Sequence, residues 1–126
     1  PNMPTILIVD DEQTVLELLS RILVGAMLSV ITASDGVEAK QLLESEDVDI
    51  LLSDVYMPGP SGLDLLAHAR GISPGLPVIL MSGAVTPELT RDAAKAGAYE
   101  ILSKPIDHGE LLLILARAMR QSERVV

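Results

Sequence analysis

Three aspartates, a serine and a lysine stand at equivalent places in this sequence. Asp10 and Asp11 follow the run Thr5-Ile6-Leu7-Ile8-Val9, and Asp54 closes the run that starts at Asp49. Ser82 follows Pro77-Val78-Ile79-Leu80-Met81, and Lys104 follows Tyr99 to Ser103. Gathered in one crevice, three carboxylates repel and push one another's pKa values up unless a cation joins them. Oxygen ligands with no thiolate or paired histidine suit a hard cation, and few protein ligands with open water positions suit Mg²⁺. Mg²⁺ and the Lys104 ammonium can together neutralise the oxygens of a transferring phosphoryl group. The Ser82 hydroxyl and loop N–H groups can donate to the same oxygens. One carboxylate is then placed to act as nucleophile and become an aspartyl phosphate. Asp54 is the candidate, because a central strand points it into the middle of the crevice. Taken alone it would read as a helix N-cap or a solvated loop acid; the other four residues change that reading.

The elements that must position these groups are legible from period and punctuation. The β-branched run 5–9 reads as a strand, and Val15, Leu18, Leu19, Ile22 and Leu23 then recur at helical spacing until Gly25. Leu28 to Thr32 reads as a second strand. Asp35-Gly36-Val37-Glu38 has the form of a capping box that opens a helix to about Glu46. The run 49–54 has the length and composition of a buried strand, and Pro58, Gly59, Pro60 and Gly62 end regular structure after it. Ser61 or Gly62 starts a third helix with Leu63, Leu66 and Ala69 inward, ending between Gly71 and Gly75. The strand 77–81 follows. Thr86-Pro87 opens a fourth helix, which Gly97 closes. Tyr99 to Ser103 is a short fifth strand, and Asp107-x-x-Glu110 caps a last helix to about Gln121. Strands alternating with helices imply parallel pairing, right-handed crossovers and helices on both faces. The expected fold is a doubly wound α/β domain over 1–126, with 1–4 and 122–126 as frayed ends. In such a fold every strand's carboxyl end lies on one edge, so Asp10, Asp11, Asp54, Ser82 and Lys104 converge there.

Composition narrows the function classes. The chain has 126 residues, 48% of them hydrophobic, enough for one domain with a real core. No apolar run approaches the ~20 residues of a membrane span, and no charged-then-apolar leader opens the sequence. The absence of cysteine removes disulfides and thiolate metal sites and fits the cytoplasm. A net charge of -9 argues against a nucleic-acid surface, and a lack of Phe and Trp argues against base-stacking platforms.

Four blocks carry a resemblance over essentially the full length: Val9-Asp10-Asp11-Glu12; Ser53-Asp54-Val55-Tyr56-Met57-Pro58 with Gly62; Met81-Ser82-Gly83; and Gly97-Ala98 followed by Ser103-Lys104-Pro105. In this order and spacing they resemble the receiver domains of two-component response regulators. The resemblance implies a flavodoxin-like, five-stranded parallel sheet of order 2-1-3-4-5. It implies that Asp54 accepts a phosphoryl group from a histidine kinase or histidine phosphotransfer protein. Asp10, Asp11, Asp54 and the backbone carbonyl of Tyr56 would ligate Mg²⁺, Ser82 and Lys104 would contact the phosphoryl group, and Lys104-Pro105 would be cis. Such a domain is not an enzyme acting on others; it catalyses only its own phosphorylation and dephosphorylation.

Two features depart from the family pattern. Receivers usually carry Tyr or Phe two residues before the Ser/Thr-Lys-Pro block; here Ile101 stands there. Tyr99 is expected on the same strand face, about 6–7 Å further from the crevice. Two residues after Asp54 stands Tyr56, and two after Ser82 stands Ala84, a pair that suggests a shielded site. Other polar residues have plainer readings: Ser82 as a turn residue, Glu12 as a first-turn helix acid, His68 and His108 as surface histidines. The last helix has a core stripe of Leu111, Ile114, Leu115 and Ala118. Leu112, Ala116 and Met119 flank it, and Leu113 lies nearly opposite. So wide an apolar surface exceeds one buried face: either the last two helices and last strand bind a second copy or an effector, or the extra leucines are scattered surface residues. The rival functions are a Mg²⁺-dependent phosphohydrolase with an aspartyl nucleophile, a flavodoxin-like cofactor binder, and a degenerate receiver that serves as a scaffold. Phosphohydrolases of that kind typically carry a second aspartate where Tyr56 stands.

Overall fold

A computed structural model describes residues 3–123. Five strands, β1 (Thr5–Val9), β2 (Ser29–Ala33), β3 (Ile50–Asp54), β4 (Val78–Ser82) and β5 (Glu100–Ser103), form one sheet of order β2-β1-β3-β4-β5. Every neighbouring pair is parallel. Between and after them run α1 (Gln13–Gly25), α2 (Gly36–Ser45), α3 (Gly62–Ile72), α4 (Pro87–Ala96) and α5 (His108–Glu123).

The sheet divides the core in two. Ile6, Ile8, Ile50, Leu52, Ile79, Met81 and Leu102 point to the face covered by α1 and α5. Leu7, Val9, Leu51, Val78 and Leu80 point to the face covered by α2, α3 and α4. Burial on both faces is why the central strands read as unbroken apolar runs. The edge strands β2 and β5 are only partly buried.

Local chemistry sets the element ends. Asp35 caps α2 by accepting from the Glu38 N–H at 2.8 Å, but the Glu38 carboxylate accepts from Ser34, so only half of the expected box forms. The complete reciprocal pair occurs at α3: Asp64 N–H donates to Ser61 Oγ at 3.1 Å and Ser61 N–H to Asp64 Oδ2 at 2.8 Å. Those bonds hold the Asp64 carboxyl below its usual pKa. Thr86 caps α4 with Pro87 behind it, Gly97 ends it at φ 96°, and Asp107 caps α5.

Several expectations shift. In α1 the buried stripe is Leu16, Leu19 and Leu23, and Leu18 is 50% exposed. The stripes 15/18/22 and 16/19/23 lie side by side at the same spacing, so periodicity alone does not say which one faces the sheet. In α3, Leu65 is fully buried and Leu63 only half. Tyr99 packs with the α1/α5 half of the core and Ile101 with the other half. Tyr99 precedes β5, so strand alternation does not reach it, and the two residues do not share a face. Helix α5 continues to Glu123, because nothing after Gln121 breaks a helix. Residues 1, 2 and 124–126 of the expected frayed ends lie outside the described residues.

Candidate functional site

The carboxyl edge of the sheet gathers the acid cluster, the serine and the lysine. Asp10 follows β1, and its backbone N–H donates to Ala33 O at 3.2 Å. Asp10 is fully buried; its Oδ1 accepts from the Glu12 N–H at 2.9 Å, which ties it to the start of α1. Asp54 ends β3 and is 7% exposed. Its carbonyl accepts from the Ser53 hydroxyl at 2.9 Å, and the next residue's N–H donates to Met81 O at 2.9 Å. A Cβ at position 62 would stand 2.4 Å from the Asp54 carbonyl oxygen, so only glycine lets α3 start against the end of β3.

Lys104 Nζ closes the crevice, donating to Asp10 Oδ2 at 2.7 Å and to Asp54 Oδ2 at 3.0 Å, with Glu12 Oε1 at 4.0 Å. The Lys104 side chain is 18% exposed. Ligand oxygens of Asp10, Asp11 and Asp54 all lie within 4.8 Å of one another, with Asp11 facing solvent. Burial pushes the Asp54 carboxyl above its usual pKa, against the pull of the Lys104 hydrogen bond and charge. Asp10 and Asp11 add only a lesser push, so burial, not mutual repulsion, is the main cause. Burial would depress the Lys104 ammonium, but its hydrogen bonds to Asp10 and Asp54 outweigh that and raise its pKa.

The donor set fits a hard divalent cation. Every ligand is an oxygen, and exposed Asp11 leaves room for water in the coordination sphere. Lys104 bridges one oxygen each of buried Asp10 and Asp54, a single positive charge set among these acids.

Ser82 is buried at the end of β4, where its Oγ accepts from the Ala84 N–H at 3.0 Å. The turn bond uses the oxygen as acceptor and leaves the hydroxyl proton available to donate. Lys104 N–H donates to Ser82 O at 2.8 Å, and the Lys104-Pro105 bond is cis. Tyr56 lies on the loop after β3 with its side chain in solvent, 61% exposed, and Ala84 is exposed too. Neither side chain is buried against a neighbour in this structure. Glu12 is the N-cap residue of α1 and makes no side-chain cap bond; it sits just before the first turn. His68 is not a free surface residue: it is partly buried, with Nε2 3.3 Å from Glu44 Oε1 across α2 and α3, whereas His108 is exposed.

Sequence reasoning missed the contact between Gly36 and Pro60, where a Cβ on Gly36 would meet the Pro60 oxygen at 2.5 Å. Close backbone approach leaves no composition signal beyond the glycine itself.

The response regulator receiver domain profile matches residues 6–116. Over 122 residues the chain is 36% identical to the phosphoglycerate transport system transcriptional regulatory protein PgtA of Salmonella typhimurium, spanning 97% of this chain and 29% of that protein. It is 38% identical to the DNA-binding transcriptional regulator NtrC of Escherichia coli, over 89% of this chain and 24% of that one. The chain thus spans about a quarter of the length of these relatives. Among solved structures, it matches the signal receiver domain of an HD domain-containing protein from Pseudomonas fluorescens with a TM-score of 0.92 at 34% identity, covering 98% and 99% of the two chains. It matches the beryllofluoride-activated NtrC4 receiver domain dimer with a TM-score of 0.90 at 30% identity, covering 95% and 99%. The chain belongs to the response regulator receiver domain family. No helix among the described residues is long and apolar enough to cross a membrane.

Proposed function

We propose that Asp54 is the phosphoacceptor of a cytoplasmic two-component switch and takes its phosphoryl group from a phosphohistidine donor. The observation that carries this is the Lys104 ammonium bridging Asp10 and Asp54 at 2.7 and 3.0 Å, beside solvent-facing Asp11. An Asp54 carboxylate oxygen attacks phosphorus; the P–O bond forms as the P–N bond breaks, and the donor imidazole leaves with the bonding pair and is protonated from solvent. Asp10, Asp11, Asp54 and the Tyr56 carbonyl would hold Mg²⁺, which supplies positive charge to the phosphoryl oxygens when bound. Lys104 turns from Asp54 toward a phosphoryl oxygen, and Ser82 donates its hydroxyl proton to another. The domain catalyses only the gain and loss of its own phosphoryl group. Tyr56 leaves the site without the second aspartate of a phosphohydrolase.

An apolar groove lined by Val15, Leu18, Leu19, Pro105 and Ile106 borders Lys104. It suits a helical face of a histidine kinase or histidine phosphotransfer protein that presents the phosphohistidine. Half-exposed Leu18, which the core does not use, is then part of that contact.

Acetyl phosphate with Mg²⁺ should add one phosphoryl group, labile at alkaline pH. Intact-mass analysis should show the adduct vanish in Asp54→Asn and fall sharply with EDTA. An adduct that survives Asp54→Asn on another residue would sink the assignment.

A further inference from the structure

Gly36 is the first residue of α2, and its backbone does not need a glycine: its φ lies outside the left-handed range. What excludes a side chain is the neighbour. A Cβ there would lie 2.5 Å from Pro60 O and 2.6 Å from Pro60 Cβ, far inside any real contact. Pro60 belongs to the loop between Asp54 and α3, the segment that carries Tyr56. That loop is tied at both ends, by Val55 N–H to Met81 O and by Gly62 N–H to Val55 O, each 2.9 Å. Between the ties, Tyr56, Pro58 and Gly59 are exposed, and a Cβ at Gly59 would meet nothing. On its inner side the loop meets the core through half-buried Met57 and the start of α2 through Pro60, and α2 is itself fixed by the Asp35 cap.

We infer that Gly36 is a positioning residue for the metal site: the bare α2 backbone lets Pro60 close against it, and this sets where the Tyr56 carbonyl stands relative to Asp54. The inference rests on the metal reading proposed above. A methyl at position 36 meets a backbone oxygen, which cannot rotate away, so the exposed loop must move outward while both of its ends hold. The fold has little reason to fail, because α2 keeps its cap and alanine is a better helix former than glycine.

The test uses the 126-residue chain with Gly36→Ala, and Gly71→Ala as a control where a Cβ meets nothing within 4 Å. In metal-free protein, amide NMR shifts of Val55, Tyr56, Met57, Gly59 and Ser61 should change in Gly36→Ala while those of the β-strands stay. Calorimetric Mg²⁺ affinity should fall about tenfold, the low end for groups that orient metal ligands, with Tm altered little; the control should match wild type. Unchanged loop amides would overturn the positioning role. Moved amides with wild-type Mg²⁺ affinity would overturn the link to the metal. If Gly36→Ala does not fold, Pro60→Gly loosens the same contact without adding an atom and should weaken Mg²⁺ in the same direction; wild-type affinity in that variant overturns the inference. Wild-type protein that binds no Mg²⁺ would instead refute the metal reading, leaving the amide experiment to judge the loop.

Discussion

At the scale of single residues, the crevice is a balance between burial and one lysine. Asp54 gains more cost from losing water than it recovers from Lys104, and its raised pKa records that difference. A carboxyl with a folded pKa above 3.8 burdens the fold when ionised, so the penalty is complete above the folded pKa and gone below 3.8. In metal-free protein, Asp54→Asn should therefore raise Tm at pH 7, with the gain shrinking to nothing as pH falls through the folded pKa. A gain that persists unchanged at pH 3 would refute burial of charge as its cause. Lys104 has the opposite sign: its raised pKa means stability that is fully present below 10.5 and lost as pH rises through the folded value. Lys104→Met at pH 7 should cost about 2 kcal/mol in urea unfolding, below the range for breaking a fully buried pair because the side chain keeps some solvent.

At the scale of elements, capping decides how the loops leave the site edge and the opposite edge. Helix α1 ends with Met27 N–H donating to Val24 O and Leu28 N–H to Leu23 O, both at 3.1 Å, the paired bonds of a Schellman motif. The left-handed position there is Met27, at φ 68°, and not the nearby Gly25. Met27 is exposed, so its side chain returns little burial for that strain. Met27→Gly should stabilise the domain by about 0.5–1 kcal/mol, since glycine removes the Cβ clash at some cost in unfolded-chain entropy. Thermal denaturation should show a rise of roughly 2–4 °C, and a fall would mean that Met27 packs against something in solution. Helix α4 is the lightly held element: of its residues only Leu89 and Ala93 are buried. It begins just after the Ser82 loop, so the proposed shift of Ser82 toward a phosphoryl group would have a short path into it.

At the scale of the whole molecule, the question is where such a shift emerges. With Ile101 packed into the α2/α3/α4 half of the core, no ring is placed to swing at that position. On the proposed switch, output should travel through the backbone of Gly83 to Pro87 into α4, and through β5 into α5. The outer side of α5 carries Leu112 and Leu113, the latter 50% exposed, beyond the buried stripe of Leu111, Ile114, Leu115 and Ala118. Phosphorylation should strengthen association through the face made by α4, β5 and α5, by favouring the conformation that binds better. Leu113→Asp should weaken that association about tenfold or more while leaving the acetyl phosphate adduct intact. Sedimentation of the phosphorylated proteins, alone and with a partner, checks this; identical behaviour would mean that the leucines are scattered surface residues.

The alternation of runs and breakers in the sequence already determined the five strands, the five helices and the edge that gathers Asp10, Asp54, Ser82 and Lys104. Those features depend on period, on capping residues and on the handedness of crossovers, all of which act locally or follow from chain chirality. The strand order came with the family resemblance and is the order the sheet has. What only the tertiary structure decided are choices among locally equal options. The stripes 15/18/22 and 16/19/23 of α1 have the same spacing, and packing against the sheet chose Leu16, Leu19 and Leu23. Tyr99 lies one residue outside β5, where alternation no longer fixes a side chain, and it turned to the opposite half of the core from Ile101. Burial as the main cause of the raised Asp54 pKa, the openness of the Tyr56 ring, and the contact of Gly36 with Pro60 all depend on atoms brought together from distant segments. No spacing along one segment encodes the distance to another, which is why these features had to wait for the fold.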